Sequence, residues 1–293
     1  MKRIFVLTSI FMGAACVTAQ AVSSTAYSDT PTAEYSRYLE LVDSAQFFIG
    51  KEQWSEASRC TREALRLDPA NVGNIMLFNN LGLATGMDGK FGEAMQCFDI
   101  ALSRAPKSIP VLTSKAKIQI KASDQEGALE TLDKILSIDS VAEWPLQTRG
   151  LLRMRNSDYK GAFSDFKALT KQYPKNTWGY GGLAKCMEMQ GYLAEAAGYY
   201  RDAIEHTIAG DEDRVEFQLG LIENLGHTEK LTEALEEAKQ AISESPHDGR
   251  LYLLRGWIKK KLLIYREAED DKKLAINYGV DYQTIERFFP QKE

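Results

Sequence analysis

The chain has 293 residues, more than one ordinary compact core holds, with 44% hydrophobic and 26% charged residues, the balance of a folded polypeptide without a disordered charged tail. Its formal charge of −5 argues against general binding to nucleic acid or to an anionic membrane, since both draw affinity from Lys and Arg against phosphate. Four cysteines cannot staple a chain of this length, and neither a Cys-x-x-Cys pair nor a His-Glu-x-x-His helix is present, so no metal site and no cofactor is expected.

At the N-terminus, Lys2-Arg3, the apolar run Ile4 to Met12 and the small-residue stretch GAACVTAQA follow the three-part plan of a secretory signal peptide. It is read over residues 1–21, with Ala19-Gln20-Ala21 as the cleavage site and a cut after Ala19 as the near alternative. This predicts an exported protein of the periplasm or cell envelope, with outer-membrane association left open. A competing reading makes Cys16 a lipid anchor, although Gly13 stands where the lipoprotein motif has leucine. The apolar run is too short to span a membrane, and no later stretch approaches that length. Residues 22–37 are Ser/Thr-rich without period and read as a flexible linker.

From Tyr38 to Val280 the chain repeats. Ala57, Ala94, Ala128, Ala162, Ala196, Ala234 and Ala268 stand at spacings of 37, 34, 34, 34, 38 and 34 residues. Twelve residues before these alanines come Ala45, Gly82, Ala116, Gly150, Ala184, Ile222 and Gly256, mostly small residues that let one helix approach another closely. Twelve residues after four of them come Pro69, Pro106, Pro174 and Pro246, which stop a helix because proline has no N–H for the ladder and pushes its predecessor out of helical geometry. Between the landmarks the apolar spacing is helical, as in Phe91, Ala94, Phe98, Ala101 and Leu102. Each repeat is predicted to be two short antiparallel helices, seven units in all, stacked because one pair cannot bury its apolar face alone. Residues 281–293 close the chain as a capping segment through Ile285, Phe288 and Phe289.

The pattern resembles the tetratricopeptide repeat family: LGLATGMDGKFGEAMQCFDIALSRAP carries Leu81-Gly82, Ala94, Phe98, Ala101 and Pro106 at that family's offsets. The family's aromatic site is Phe98, Phe166 and Tyr200, but Thr61, Ala238 and Lys272 in weaker repeats. The resemblance implies an all-α solenoid wound as a right-handed superhelix, with first helices lining a concave groove. Carried onto this chain, the groove positions are Asn79, Asn80, Lys117, Lys121, Trp144, Arg155, Trp178, Lys185 and Trp257, with Gln147, Glu188, Glu223, Lys260 and Lys261 beside them. Their basic members imply a protein or peptide partner with carboxylates and an aromatic or aliphatic anchor. The family's chaperone-tail clamp is not reproduced, since Val42 and Gln46 stand at its lysine and asparagine sites.

Fragments that imitate chemistry fail on context. GLATGMDGKF lacks the first glycine and the hydroxyl of a phosphate loop, and GYGGLA follows a helix stop where a dinucleotide fingerprint follows a strand. His206, His227 and His247 are scattered, and Cys60 and Cys97 share one repeat position, where neighbouring helices stand too far apart for a disulfide. The chain therefore reads as a non-catalytic scaffold or adaptor of the cell envelope. Peptidoglycan or carbohydrate binding through the tryptophans is the alternative, and an enzyme with its site on the insertion His206–Arg214 is a more distant one.

Overall fold

A computed structural model describes residues 32–209 and 211–290; the signal-peptide reading, Cys16 and most of the linker lie outside the described residues. Among these residues the structure is all helical, with fifteen helices. The first pairs are α1 (Ala33–Gly50) with α2 (Trp54–Leu67), α3 (Asn74–Met87) with α4 (Phe91–Arg104), and α5 (Ile109–Lys121) with α6 (Gln125–Ile138). There follow α7 (Glu143–Arg155) with α8 (Tyr159–Gln172), α9 (Thr177–Met189) with α10 (Leu193–Glu205), α11 (Glu212–His227) with α12 (Leu231–Glu244), α13 (Gly249–Lys261) with α14 (Tyr265–Asn277), and α15 (Tyr282–Phe288). The segment read as linker is shorter than residues 22–37, because α1 starts at Ala33 with the Thr32 hydroxyl accepting from the Tyr35 N–H.

The periodic alanines are enclosed in the core. Six of the seven are fully buried and Ala268 is 1% exposed. The small residues of the first helices face the aromatics of the second: a methyl on Gly82 would lie 2.7 Å from the Phe98 ring, and one on Gly150 would lie 2.9 Å from Phe166. Phe98 and Phe166 are the two largest fully enclosed side chains, so aromatic against glycine is the packing unit. The weaker repeats fill that position otherwise: the Thr61 hydroxyl bonds to the Ala57 carbonyl, and Lys272 lays its ammonium 5.5 Å from the centre of the Phe289 ring, which the C-terminal cap supplies.

Every turn between the paired helices has the same shape. The residue five before the periodic alanine takes positive φ in all seven repeats: Glu52, Gly89, Ser123, Ser157, Gly191, Glu229 and Leu263. Only two of these are glycine, the residue that adopts this conformation without strain. First helices touch along one face, α1 with α3, α3 with α5, α7 with α9, α11 with α13 and α13 with α15, while no comparable contact joins successive second helices among the described residues. The first helices therefore form the inner layer.

Helix α15 continues that layer. It lies against α13 and α14, with Ile285, Phe288 and Phe289 at 1%, 8% and 5% exposure. Its position is that of the first helix of an eighth unit whose second helix is not among the described residues, which is why it both caps the core and reaches the inner face.

The longer spacing late in the chain has a local cause. Where 38 residues separate Ala196 from Ala234, Arg214 at the start of α11 turns back: it donates to the Ile204 and Thr207 carbonyls at 2.5 and 3.3 Å and pairs with Glu244 at 2.8 Å. One guanidinium thereby caps the C-terminal end of α10 and ties the insertion to α12.

Candidate functional site

A cavity of about 320 Å³ opens on the inner face across α7, α9, α11 and α13, and α15 closes its far end. Its floor follows the repeat register. One position contributes Gly181, Leu219, Leu253 and Arg287 from successive units, and the next contributes Gly182, Gly220, Leu254 and Phe288. Leu151, Met154 and Trp178 line it as well.

The charges around this cavity cancel in pairs. Lys185 meets Glu188 at 2.5 Å, Arg250 meets Glu216 at 2.5 Å, and Arg287 reaches Glu223 across the intervening repeat. Glu188 also accepts from the Tyr200 hydroxyl at 2.7 Å, and burial, with Glu188 beside it, holds that phenol protonated. The resemblance implied a basic strip; here each cation lining the cavity has an acidic partner, so the cavity offers apolar area more than charge. Glu216, Arg250, Arg287 and Phe288 were missed in the sequence as members of the site. The signal was available, since Glu216 and Arg250 are 34 residues apart and share one register position.

The other expected groove residues divide by what they touch. Lys121 donates to the Met87 carbonyl at 2.9 Å and caps α3, and Lys261 does the same for α11 through the Gly226 carbonyl at 2.8 Å. Trp257 is only 9% exposed, packed between His227 and Phe288 at centroid distances of 5.0 and 5.3 Å, so it is a wall of the fold. Arg155 is exposed in the last turn of α7. Trp178 and Lys185 line the cavity itself.

Asn79, Asn80, Lys117 and Trp144 lie outside the cavity, towards the N-terminus. The Lys117 ammonium sits 5.4 Å from the centre of the Trp144 ring, and burial lowers its pKa. No carboxylate partner for Lys117 is found among the described residues. Asn79 is 6% exposed, and its side-chain oxygen is buried without a hydrogen bond.

Candidate chemistry elsewhere resolves into packing. Cys60, Cys97 and Cys186 are free and buried, and burial raises the Cys97 thiol to about 11 and Cys186 to about 12, which keeps both as unreactive thiols. His206 stacks on Tyr180 at 4.9 Å and bonds to the Asp202 carbonyl at 2.7 Å. Among the described residues no group of His, Cys, Asp or Glu could hold a metal ion, and no helix is long and apolar enough to cross a membrane.

Paired antiparallel helices, a shared turn and first helices stacked on one side define an all-α solenoid of helix-turn-helix units. Residues 148–213 match the tetratricopeptide repeat family model. A tetratricopeptide repeat protein from Parabacteroides merdae is 26% identical, with a TM-score of 0.59 over 86% of this chain and 97% of that one. YrrB, described as a TPR protein with an unusual peptide-binding site, is 19% identical, with a TM-score of 0.55 over 66% of this chain and 98% of its own. Protein NPGR2 of Arabidopsis thaliana is 29% identical over 85 residues, 29% of this chain, and the match spans only 11% of that protein's length. The family match is thus confined to residues 148–213, and the likeness to the Parabacteroides merdae protein extends the same repeat fold over most of the chain.

Proposed function

We propose that this protein is a non-catalytic interaction scaffold of the bacterial cell envelope that holds a protein or peptide on its first-helix face. The tetratricopeptide fold supports a protein-interaction role in general. The envelope location rests on the signal-peptide plan of residues 1–21. The observation that carries the choice of face is the 320 Å³ cavity, whose apolar floor repeats in register across four units while its charges are already paired. Such a surface gains by covering apolar area and has no arrangement of nucleophile, base and charge stabiliser for catalysis.

The test places a photo-crosslinking residue at Trp178 on the inner face or at Lys239 on exposed α12, in cells that make the protein. Capture of the same partner from position 178 and not from position 239 supports the reading. Capture from position 239 alone refutes it, and enrichment of glycan in place of protein at position 178 favours the carbohydrate alternative.

A further inference from the structure

The register that lines the cavity changes chemistry halfway along the chain. In the fifth to seventh units its two positions hold Gly181 and Gly182, Leu219 and Gly220, Leu253 and Leu254. In the second to fourth units the same positions hold Asn79 and Asn80, Thr113 and Ser114, Gln147 and Thr148. Every one of these six side chains is polar, and none hydrogen-bonds another group among the described residues. Lys117 lies in the same half, stacked on Trp144 and without a carboxylate partner, whereas the three cations that line the cavity, Lys185, Arg250 and Arg287, are paired.

We propose that the inner face is divided into a hydrogen-bonding half and an apolar half, and that its ligand is an extended polypeptide segment with an acidic side chain at Lys117 and a bulky apolar side chain in the cavity between Trp178 and Phe288. This rests on the scaffold reading above and specifies its partner. Asn79 is already enclosed, but a wholly apolar helix would leave the other five polar side chains and one ammonium covered and unpaired, which is costly. An oligosaccharide would satisfy the polar half and leave the apolar cavity unfilled. A polypeptide supplies both, with backbone N–H and C=O groups for the amides and hydroxyls and side chains for the two anchors. Helices pack roughly 10 Å apart and an extended chain advances about 3.3 Å per residue, so each unit is crossed by about three ligand residues. The acidic and apolar anchors are therefore separated by roughly six to nine residues.

The experiment uses the purified full chain and fluorescein-labelled Gly/Ser peptides carrying an Asp pair and a Phe-Leu pair about seven residues apart, in both orders, with peptides carrying only one pair as controls. One two-ended order is expected to bind about tenfold more tightly than either single-ended peptide. Lys117→Gln should reduce it to the level of the Phe-Leu peptide without changing the binding of that peptide, and Met154→Ala should weaken both Phe-Leu peptides, with unchanged circular dichroism for each variant. Equal binding of one- and two-ended peptides, no binding of either order at millimolar concentration, or indifference to Lys117→Gln overturns the division. A partner crosslinked at position 178 whose capture ignores Lys117→Gln overturns it while leaving the scaffold reading standing; loss of inner-face capture altogether removes both.

Discussion

Arg149 on α7 grips Asp165 on α8 through two hydrogen bonds, Nη2 to Oδ1 at 2.6 Å and Nε to Oδ2 at 3.1 Å. Asp165 is 3% exposed and also receives Arg153 at 2.9 Å. The arrangement recurs three units later, where Asp271 takes Arg255 at 2.5 Å and Lys259 at 2.9 Å from the equivalent positions. In the third unit a neutral pair, Thr131 donating to Gln119 at 2.7 Å, occupies two of the same places. In these three repeats the residue three after the periodic alanine is thus buried in the seam between paired helices and bonded across it. Asp165→Ala removes the buried carboxylate that the two guanidiniums share, leaving Arg149 only the exposed Asp133 at 2.6 Å, and should cost about 2 kcal/mol, moderated because both arginines reach solvent. The shift of the urea midpoint measures it, and a shift no larger than that of Asp43→Ala, at an exposed position of α1, would refute the claim that the seam depends on this carboxylate.

The same substitution at two glycines should act in opposite directions. At Gly182 an added methyl would lie 2.6 Å from the Phe166 ring, so Gly182→Ala forces the aromatic off its seat and should destabilise by about 1–3 kcal/mol. Gly198 sits within α10 with open space where the methyl would go, so Gly198→Ala should stabilise by about 0.5–1 kcal/mol through helix propensity. Thermal melts of both variants decide the matter; equal signs would contradict the register.

The solenoid was legible because helix contact is encoded in residue size: Ala94, Gly82 and Phe98 can only be so placed if two helices meet there. The turn was half legible. Gly89 and Gly191 announce it, but Ser123, Glu229 and Leu263 adopt the same left-handed conformation because the packed helices on either side leave no other path. The extra inner helix was legible only as a cap, since among the described residues α15 is followed by no second helix and no alanine by which a unit is recognised. The inner face was readable in position but not in charge. Lys185 takes its partner Glu188 from its own helix, but Arg250 and Arg287 look basic along the chain and meet Glu216 and Glu223 only through the stacking of units.

Leu263 tests the turn directly. It has φ of 64° and is 69% exposed, so its side chain gains little from packing while its backbone sits where a branched residue is strained. Leu263→Gly should raise stability by about 0.5–1 kcal/mol, the relief of strain exceeding the added freedom of the unfolded chain. A lower melting temperature for the variant would show that the leucine side chain holds the turn by contacts that outweigh the strain.

Acid should loosen the insertion through Glu244. The Arg214 hydrogen bond holds this carboxyl below its ordinary value of 4.5, against the opposing effect of burial, with Gln240 and Gln218 adding hydrogen bonds. A carboxylate depressed in the folded state contributes stability that is fully present above its unfolded pKa and is lost as pH falls through the folded one. Glu244→Gln should therefore be less stable than the parent at neutral pH, and the gap should narrow as pH falls below 4.5 and close in stronger acid. Urea midpoints of the two proteins across that range provide the measurement. A gap that stays constant with pH would mean that Glu244 acts by shape and not by charge, and that Arg214 caps α10 without needing its carboxylate.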